Sequence, residues 1–209
     1  MFHNAWYWCA VWACRAYARL FFKLEIKGTE NIPQSGSLLI TANHISYLDP
    51  FLVAGNVSRC IHFIAMEELF ASRLTAFLMH RWKTIPVKRN SPDKRTITQA
   101  LSLLGEGNIV GVFPEGGIVK TDTDTAYQTG VAMLAMKSQS PILPVYIEGS
   151  RAMYRPNPFT RKIIRIAYKP VCNISELIRN GDGVSNLMDK KTLRNRIIEL
   201  IEEHITSNA

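Results

Sequence analysis

Seven short runs rich in branched and aromatic residues alternate along the 209-residue chain with stretches of helical period, at 23–27, 38–42, 61–65, 84–87, 109–113, 142–147 and 163–168. Alternation of this kind constrains the fold more than any other feature, because short strands separated by helices form a layered α/β sheet. The clearest helical stretch is "SPDKRTITQALSLLGEG" (91–107), with Ser91 as N-cap, Pro92 in the first turn and Asp93 near the positive end of the dipole. Gly105 and Gly107 stop it, and Ile97, Ala100, Leu101 and Leu104 share one face. Similar periodicity predicts helices over 126–138 and 191–205, the latter with Leu193, Ile197, Leu200, Ile201 and His204 on one stripe; 179–186 reads as a surface loop. The expected fold is α/β, a largely parallel central sheet flanked by helices, with an N-terminal helical segment outside it.

That N-terminal segment is unusual. No fixed charge occurs from Phe2 to Cys14, while Trp6, Tyr7, Trp8 and Trp12 crowd together. Arg15, Arg19 and Lys23 then recur at every fourth residue, a basic stripe on one side of a helix. Aromatic rings beside such a stripe suit an interfacial helix, with rings at headgroup depth and cations toward anionic lipid. The alternative is a helix packed on the protein's own core. The chain is thus expected to divide into a membrane-interfacial segment at 1–24 and an α/β domain at 25–209.

Twenty-five basic residues against seventeen acidic ones leave a net charge of +8, which points to an anionic partner. Nucleic acid is disfavoured: "KRNSPDKR" (88–95) and "RKIIR" (161–165) carry no interleaved aromatics for base stacking. A phospholipid surface remains. Cys9, Cys14, Cys60 and Cys172 follow neither zinc nor disulfide spacing and read as reduced thiols, which favours the cytoplasm. No apolar run reaches the roughly 18 residues of a membrane span, and the start lacks the layout of a signal peptide.

In parallel sheets ligands gather beyond the carboxyl ends of the strands. Those ends carry Asn43 and His44, then Lys88 and Arg89, then Pro114, Glu115, Gly116 and Gly117, then Glu148. Pro50 suits the first position of a helix, with Asp49 as its cap, and a turn over 45–48 would fold the carboxylate back toward His44. Asp49 holding the Nδ1 proton would leave Nε2 as a base. The alternative is a satisfied core histidine and a plain helix cap. G-x-S-x-G, H-E-x-x-H and G-x-x-x-x-G-K are all missing, and His62 and His80 lie on other elements, so neither a metal nor a cofactor is expected. Without a nucleophile beside it, the base would act directly on a substrate hydroxyl.

"NHISYLD" (43–49) resembles the Asn-His-x4-Asp signature of the glycerolipid acyltransferases, of the lysophosphatidic acid acyltransferase type. "IPVKR" (85–89), "VFPEGG" (112–117) and "GVAMLAMKSQSPILPVYIEG" (130–149) are similar to the family's later blocks, in order, and the likeness runs from about 23 to 168. The resemblance implies transfer of a fatty acyl group from acyl-CoA or acyl carrier protein to the free hydroxyl of a lysophospholipid, 1-acylglycerol-3-phosphate giving phosphatidic acid. It implies His44 as base and Asp49 as its orienting partner. Asn43 and Arg89 would bind substrate, Arg89 through phosphate. Glu115 would contact a glycerol hydroxyl or order Arg89, and backbone N–H groups of Gly116 and Gly117 would face the oxyanion. It implies a peripheral membrane protein on the cytoplasmic face and leaves oligomeric state open. Two departures stand out. Gly117, Ile118 and Val119 replace the family's Thr-Arg-Ser, and Met66 stands where lysine is common. Lys88, Lys120 or Arg151 could supply the missing cation, though a lysine is a point charge and not a fork. A different lysolipid acceptor, or a non-catalytic lipid-surface module on this fold, are the alternatives.

Overall fold

The computed structural model describes residues 4–88, 94–118 and 129–173, with 197–199, 203 and 205. The elements in order are α1 (Ala5–Phe21), β1 (Lys23–Lys27), β2 (Leu38–Ala42), α2 (Asp49–Ala54), β3 (Ile61–Met66) and α3 (Arg73–Arg81). Then follow β4 (Ile85–Val87), α4 (Lys94–Gly105), β5 (Ile109–Val112), α5 (Thr129–Ser138), β6 (Ile142–Glu148) and β7 (Ile163–Tyr168). The strands form one sheet in the order β1-β7-β6-β2-β5-β3-β4. All neighbours are parallel except β6 and β7. The expected α/β fold with a mostly parallel sheet is therefore the observed one.

β2 lies at the centre and buries all five residues, because both faces of the sheet are covered. Ile40 and Ala42 face a core shared with α1 and α2, while Leu39 faces the core under α4 and α5. The strand directions fix where the chemistry collects. β2, β3, β4, β5 and β6 all end at one edge, and because β7 returns antiparallel, the β6–β7 connection stays at that edge too. β1 starts there, since Lys23 pairs with Ile163, so the C-terminal end of α1 also arrives at it.

Some boundaries differ from expectation. Thr84 lies outside β4 because its backbone N–H and its hydroxyl both donate to the Met79 carbonyl and close α3. β5 ends at Val112, where Phe113 and Pro114 enter a turn. The expected Ser91–Pro92–Asp93 cap, the 179–186 loop, residues 126–128, His204 and most of the 191–205 helix lie outside the described residues.

α1 corrects the expected basic stripe. Its inner face is Tyr7, Val11, Cys14 and Ala18, all buried against the sheet. Arg15 does not join an outward row: its guanidinium turns in to the Gly55 carbonyl at the end of α2. The helix stops at Phe21, and Lys23 lies on β1, 3.2 Å from Glu25. Arg19 alone of the three stays exposed on the helix. The outer face instead exposes Trp6, Trp12 and Leu20, at 53%, 63% and 67%. Among the described residues no helix is long and apolar enough to cross a membrane.

Candidate active site

The end of β2 is held by Asn43. Its amide donates to the Ile147 carbonyl (2.8 Å) and accepts from the Ile147 N–H (2.7 Å), extending the β2–β6 ladder by one side chain. Asn43 was expected at the substrate; what it does here is lock the strand end beneath His44. The chain then turns over 45–48, with the Asp49 N–H donating to the Ser46 carbonyl.

Asp49 is fully buried, and four donors converge on it. Oδ2 accepts from the backbone N–H groups of Ile45 (2.8 Å) and Ser46 (2.7 Å) and meets His44 Nδ1 at 3.0 Å. Oδ1 accepts from the Ser150 hydroxyl at 2.5 Å. An ionised carboxylate only accepts and has about four lone-pair sites, so this one is filled. Its capping role is corrected: α2 begins at Asp49, Leu48 holds the cap position, and the carboxylate makes no cap hydrogen bond to the helix. It folds back onto the turn, where the amides of Ile45 and Ser46 point at it and find in it their acceptor. Burial, then the Asp49 charge, push the Cys14 thiol on α1 up to about 11.

Because Oδ2 can only accept, the His44 proton belongs on Nδ1 and Nε2 is the open lone pair. No hydrogen bond reaches Nε2 among the described residues, and the side chain is 14% exposed. Phe113 stacks on the imidazole (4.1 Å between centroids, 21° between planes) and Phe63 stacks on Phe113 (5.5 Å, 13°). The stack depends on Gly111, where a Cβ would overlap the Phe63 ring. Ser150 likewise depends on a glycine. Gly149 has φ +78°, and a Cβ there would overlap the Ile163 carbonyl oxygen, so the tight turn that delivers Ser150 needs glycine.

The third block forms a turn at this edge. Gly116 has φ +67°, and its N–H donates to the Phe113 carbonyl at 3.0 Å. This corrects the expectation of two glycine amides facing substrate: the Gly116 amide closes the turn, and Gly117 is the candidate donor. Glu115 is half-buried in the same turn. Lys88 is exposed at the end of β4, three strands from β2, so roughly 14 Å away at the usual strand spacing. Arg89, Val119 and Lys120 lie outside the described residues. His62 is on β3 with Nδ1 3.2 Å from the Lys83 carbonyl oxygen; burial, then the Lys83 charge, lower its pKa. A cleft of about 300 Å³ beside it, lined by Trp8, Arg59 and Lys83, opens at the opposite edge, where β3 and β5 begin.

Residues 23–148, which contain the dyad and the third block, match the acyltransferase family model. The chain belongs to the acyltransferase family. It is 28% identical over 127 residues to a 1-acyl-sn-glycerol-3-phosphate acyltransferase of Bacillus subtilis, covering 60% of this chain and 63% of that one. A chloroplastic 1-acyl-sn-glycerol-3-phosphate acyltransferase of Arabidopsis thaliana is 26% identical over 133 residues, covering 62% of this chain and 37% of its own. The matched stretch therefore spans less than two thirds of either relative. The crystal structure of a 1-acyl-sn-glycerophosphate acyltransferase from Thermotoga maritima has the same fold, with a TM-score of 0.64 at 24% identity over 91% of this chain and 74% of that one.

Three residues of this site were not read from the sequence of this family member. Phe113 belongs to the third block, but nothing in its spacing announces a ring stacked on His44. Phe63 reads as a strand residue. Ser150 is 101 residues from Asp49, and only the placement of β6 beside β2 brings them together.

Proposed function

We propose that the protein moves an acyl group from an acyl thioester, on coenzyme A or acyl carrier protein, to the free hydroxyl of 1-acylglycerol-3-phosphate, giving phosphatidic acid. The observation that carries this is the His44–Asp49 contact of 3.0 Å at Nδ1, at the end of β2, which leaves Nε2 as the lone pair available to a substrate hydroxyl. Nε2 takes the hydroxyl proton as the oxygen attacks the thioester carbonyl carbon. The tetrahedral intermediate then collapses, the carbon–sulfur bond breaks, and the thiolate leaves with the proton from His44. General base catalysis of this kind contributes about 10²–10⁴-fold. The developing oxyanion would meet the Gly117 amide, Arg89 would grip the acceptor phosphate, and Glu115 would contact a glycerol hydroxyl or order Arg89. No metal or cofactor enters this scheme. Both substrates are amphiphiles, and the apolar outer face of α1 supports work at a membrane surface, with the cytoplasmic face as the proposed side.

The test is thiol release from acyl-CoA and from acyl carrier protein thioester with a panel of lysolipids. Replacing His44 with alanine is expected to lower turnover about 10³-fold, within the range of lost base catalysis. Undiminished turnover by the folded variant rejects the base. A second reading, an acceptor without a phosphomonoester, is favoured by Gly117 and Ile118 standing where the resembled family carries Thr-Arg. Preference for a phosphodiester lysolipid in the panel would select it. Vesicle binding without thiol release on any lysolipid would instead select a non-catalytic lipid-surface module.

A further inference from the structure

Between β6 and β7 the chain runs "SRAMYRPNPFTRK" (150–162), with four cations and no carboxylate. Phe159 is 96% exposed, and every residue from 154 to 163 is exposed. A loose loop would fold such a ring back onto the protein. This one is held out. Pro156 and Pro158 fix the backbone on either side of Asn157. The Asn157 side chain accepts from the N–H groups of Phe159 (2.9 Å) and Thr160 (3.3 Å), and its carbonyl accepts from the Arg161 N–H (3.1 Å).

The connection is also fastened to α1. The Arg161 guanidinium donates to the carbonyls of Arg19 (2.8 Å) and Phe22 (3.1 Å), and the Tyr17 hydroxyl donates to the Met153 carbonyl (2.7 Å). Its other end reaches the active site, where Ser150 bonds Asp49 and the Tyr154 hydroxyl accepts from the Tyr47 N–H at 2.7 Å. One short segment thus links the exposed apolar helix, an outward phenylalanine and the dyad.

We propose that this β6–β7 connection is a second lipid-contacting element. Phe159 enters the headgroup region of a bilayer, and Arg155 and Lys162 face anionic headgroups. An apolar tip flanked by cations, with no acid to repel phosphate, matches the chemistry of that interface. The connection is tied to the C-terminal end of α1, where Leu20 is 67% exposed beside the Arg19 carbonyl that Arg161 holds. The inference rests on the reading of the chain as working at a lipid surface. It adds a reason: a bilayer that holds Phe159 is brought to the edge where His44 opens.

The test is sedimentation of the full chain with vesicles of phosphatidylglycerol and phosphatidylcholine in equal parts. Phe159→Ser is expected to lower the partition coefficient about tenfold, the ratio that roughly 1.4 kcal/mol produces. Phe159→Trp is expected to retain it, and Arg155→Ser to weaken binding only to vesicles containing phosphatidylglycerol. Circular dichroism reports that each variant is folded. Unchanged partition of Phe159→Ser overturns the proposal. So does unchanged partition joined to lost binding of acyl carrier protein, which would assign the segment to that acidic partner. Sedimentation needs no turnover, so a protein that binds vesicles through Phe159 and releases no thiol would defeat the acyl-transfer reading and uphold this one.

Discussion

The turn at 43–49 and the outer face of α1 treat polarity in opposite ways. In the turn, a fully buried carboxylate meets four donors and an amide side chain meets both sides of a backbone unit. On the helix, Trp6, Trp12 and Leu20 stand more than half exposed. The first region is complete within the protein and so holds one geometry before substrate arrives, which is what a positioned base needs. The second is unfinished: its apolar surface gains only when something else covers it. Rigidity and partner-seeking are thus placed on adjoining parts of one fold, and the comparison can be broken from either side.

The largest effect is expected at Asp49. Replacement by alanine leaves two buried amides, the Ser150 hydroxyl and His44 Nδ1 without their acceptor. Breaking a buried charged arrangement of this kind costs about 3–5 kcal/mol. Urea unfolding should show that loss, and turnover should fall at least as far as in the His44 variant, since tautomer and ring position are lost together. An unfolding midpoint equal to wild type would mean that the carboxylate does not organise the turn.

Next comes Gly111→Ala. The added methyl overlaps Phe63, and the displaced ring carries the Phe63–Phe113–His44 stack with it. Overpacking of a filled core costs about 1–3 kcal/mol. The sharper readout is kinetic: kcat should fall with KM little changed, because the imidazole is misplaced while substrate contacts stay. Loss of stability with unchanged kcat would reduce the stack to packing.

A smaller effect is expected at Ser150. Alanine removes one donor of four, and a hydrogen bond whose loss the other three partly cover is worth about 0.5–1.5 kcal/mol. The three remaining donors keep the carboxylate nearby, so kcat should fall by no more than about tenfold, which corresponds to roughly 1.4 kcal/mol. Ser150→Thr should restore it by returning the hydroxyl. Failure of threonine to rescue, with the fold intact, would remove Ser150 from the positioning of Asp49.

How much of this was legible depends on how local each cause is. Strands and their order of chemistry were readable because branched runs and the residues after them are adjacent in the chain. The meeting of His44 and Asp49 was readable because five residues allow one turn between them, although Asp49 enters α2 itself instead of standing before it. The helix boundary was less so: Arg15, Arg19 and Lys23 keep a four-residue rhythm, yet Phe22 turns to extended backbone and takes Lys23 into β1. Gly116 was misread because a glycine that permits close approach and a glycine that closes a turn look alike in sequence. Ser150 could be found only from topology. Its signal, a serine after a glycine at the end of β6, means nothing until β6 is known to lie beside β2 and its end is pinned by Asn43.

The smallest expected effect sharpens the comparison most, because it sets the two faces of α1 against each other. Val11 is 1% exposed and Leu20 is 67% exposed on the same helix. Val11→Ala removes buried carbon, about 0.8 kcal/mol for each group lost, so a cost of roughly 1.5–2 kcal/mol is expected. Leu20→Gln keeps helix propensity nearly constant and removes no buried contact, so stability in solution should shift by less than about 0.5 kcal/mol. The order should reverse on vesicles, where Leu20→Gln weakens partition and Val11→Ala, if folded, does not. The two measurements use the same helix and differ only in which side is altered. If Leu20→Gln destabilises the protein in solution as much as Val11→Ala, the outer face is covered by the protein itself, and the division between a finished turn and an unfinished surface fails.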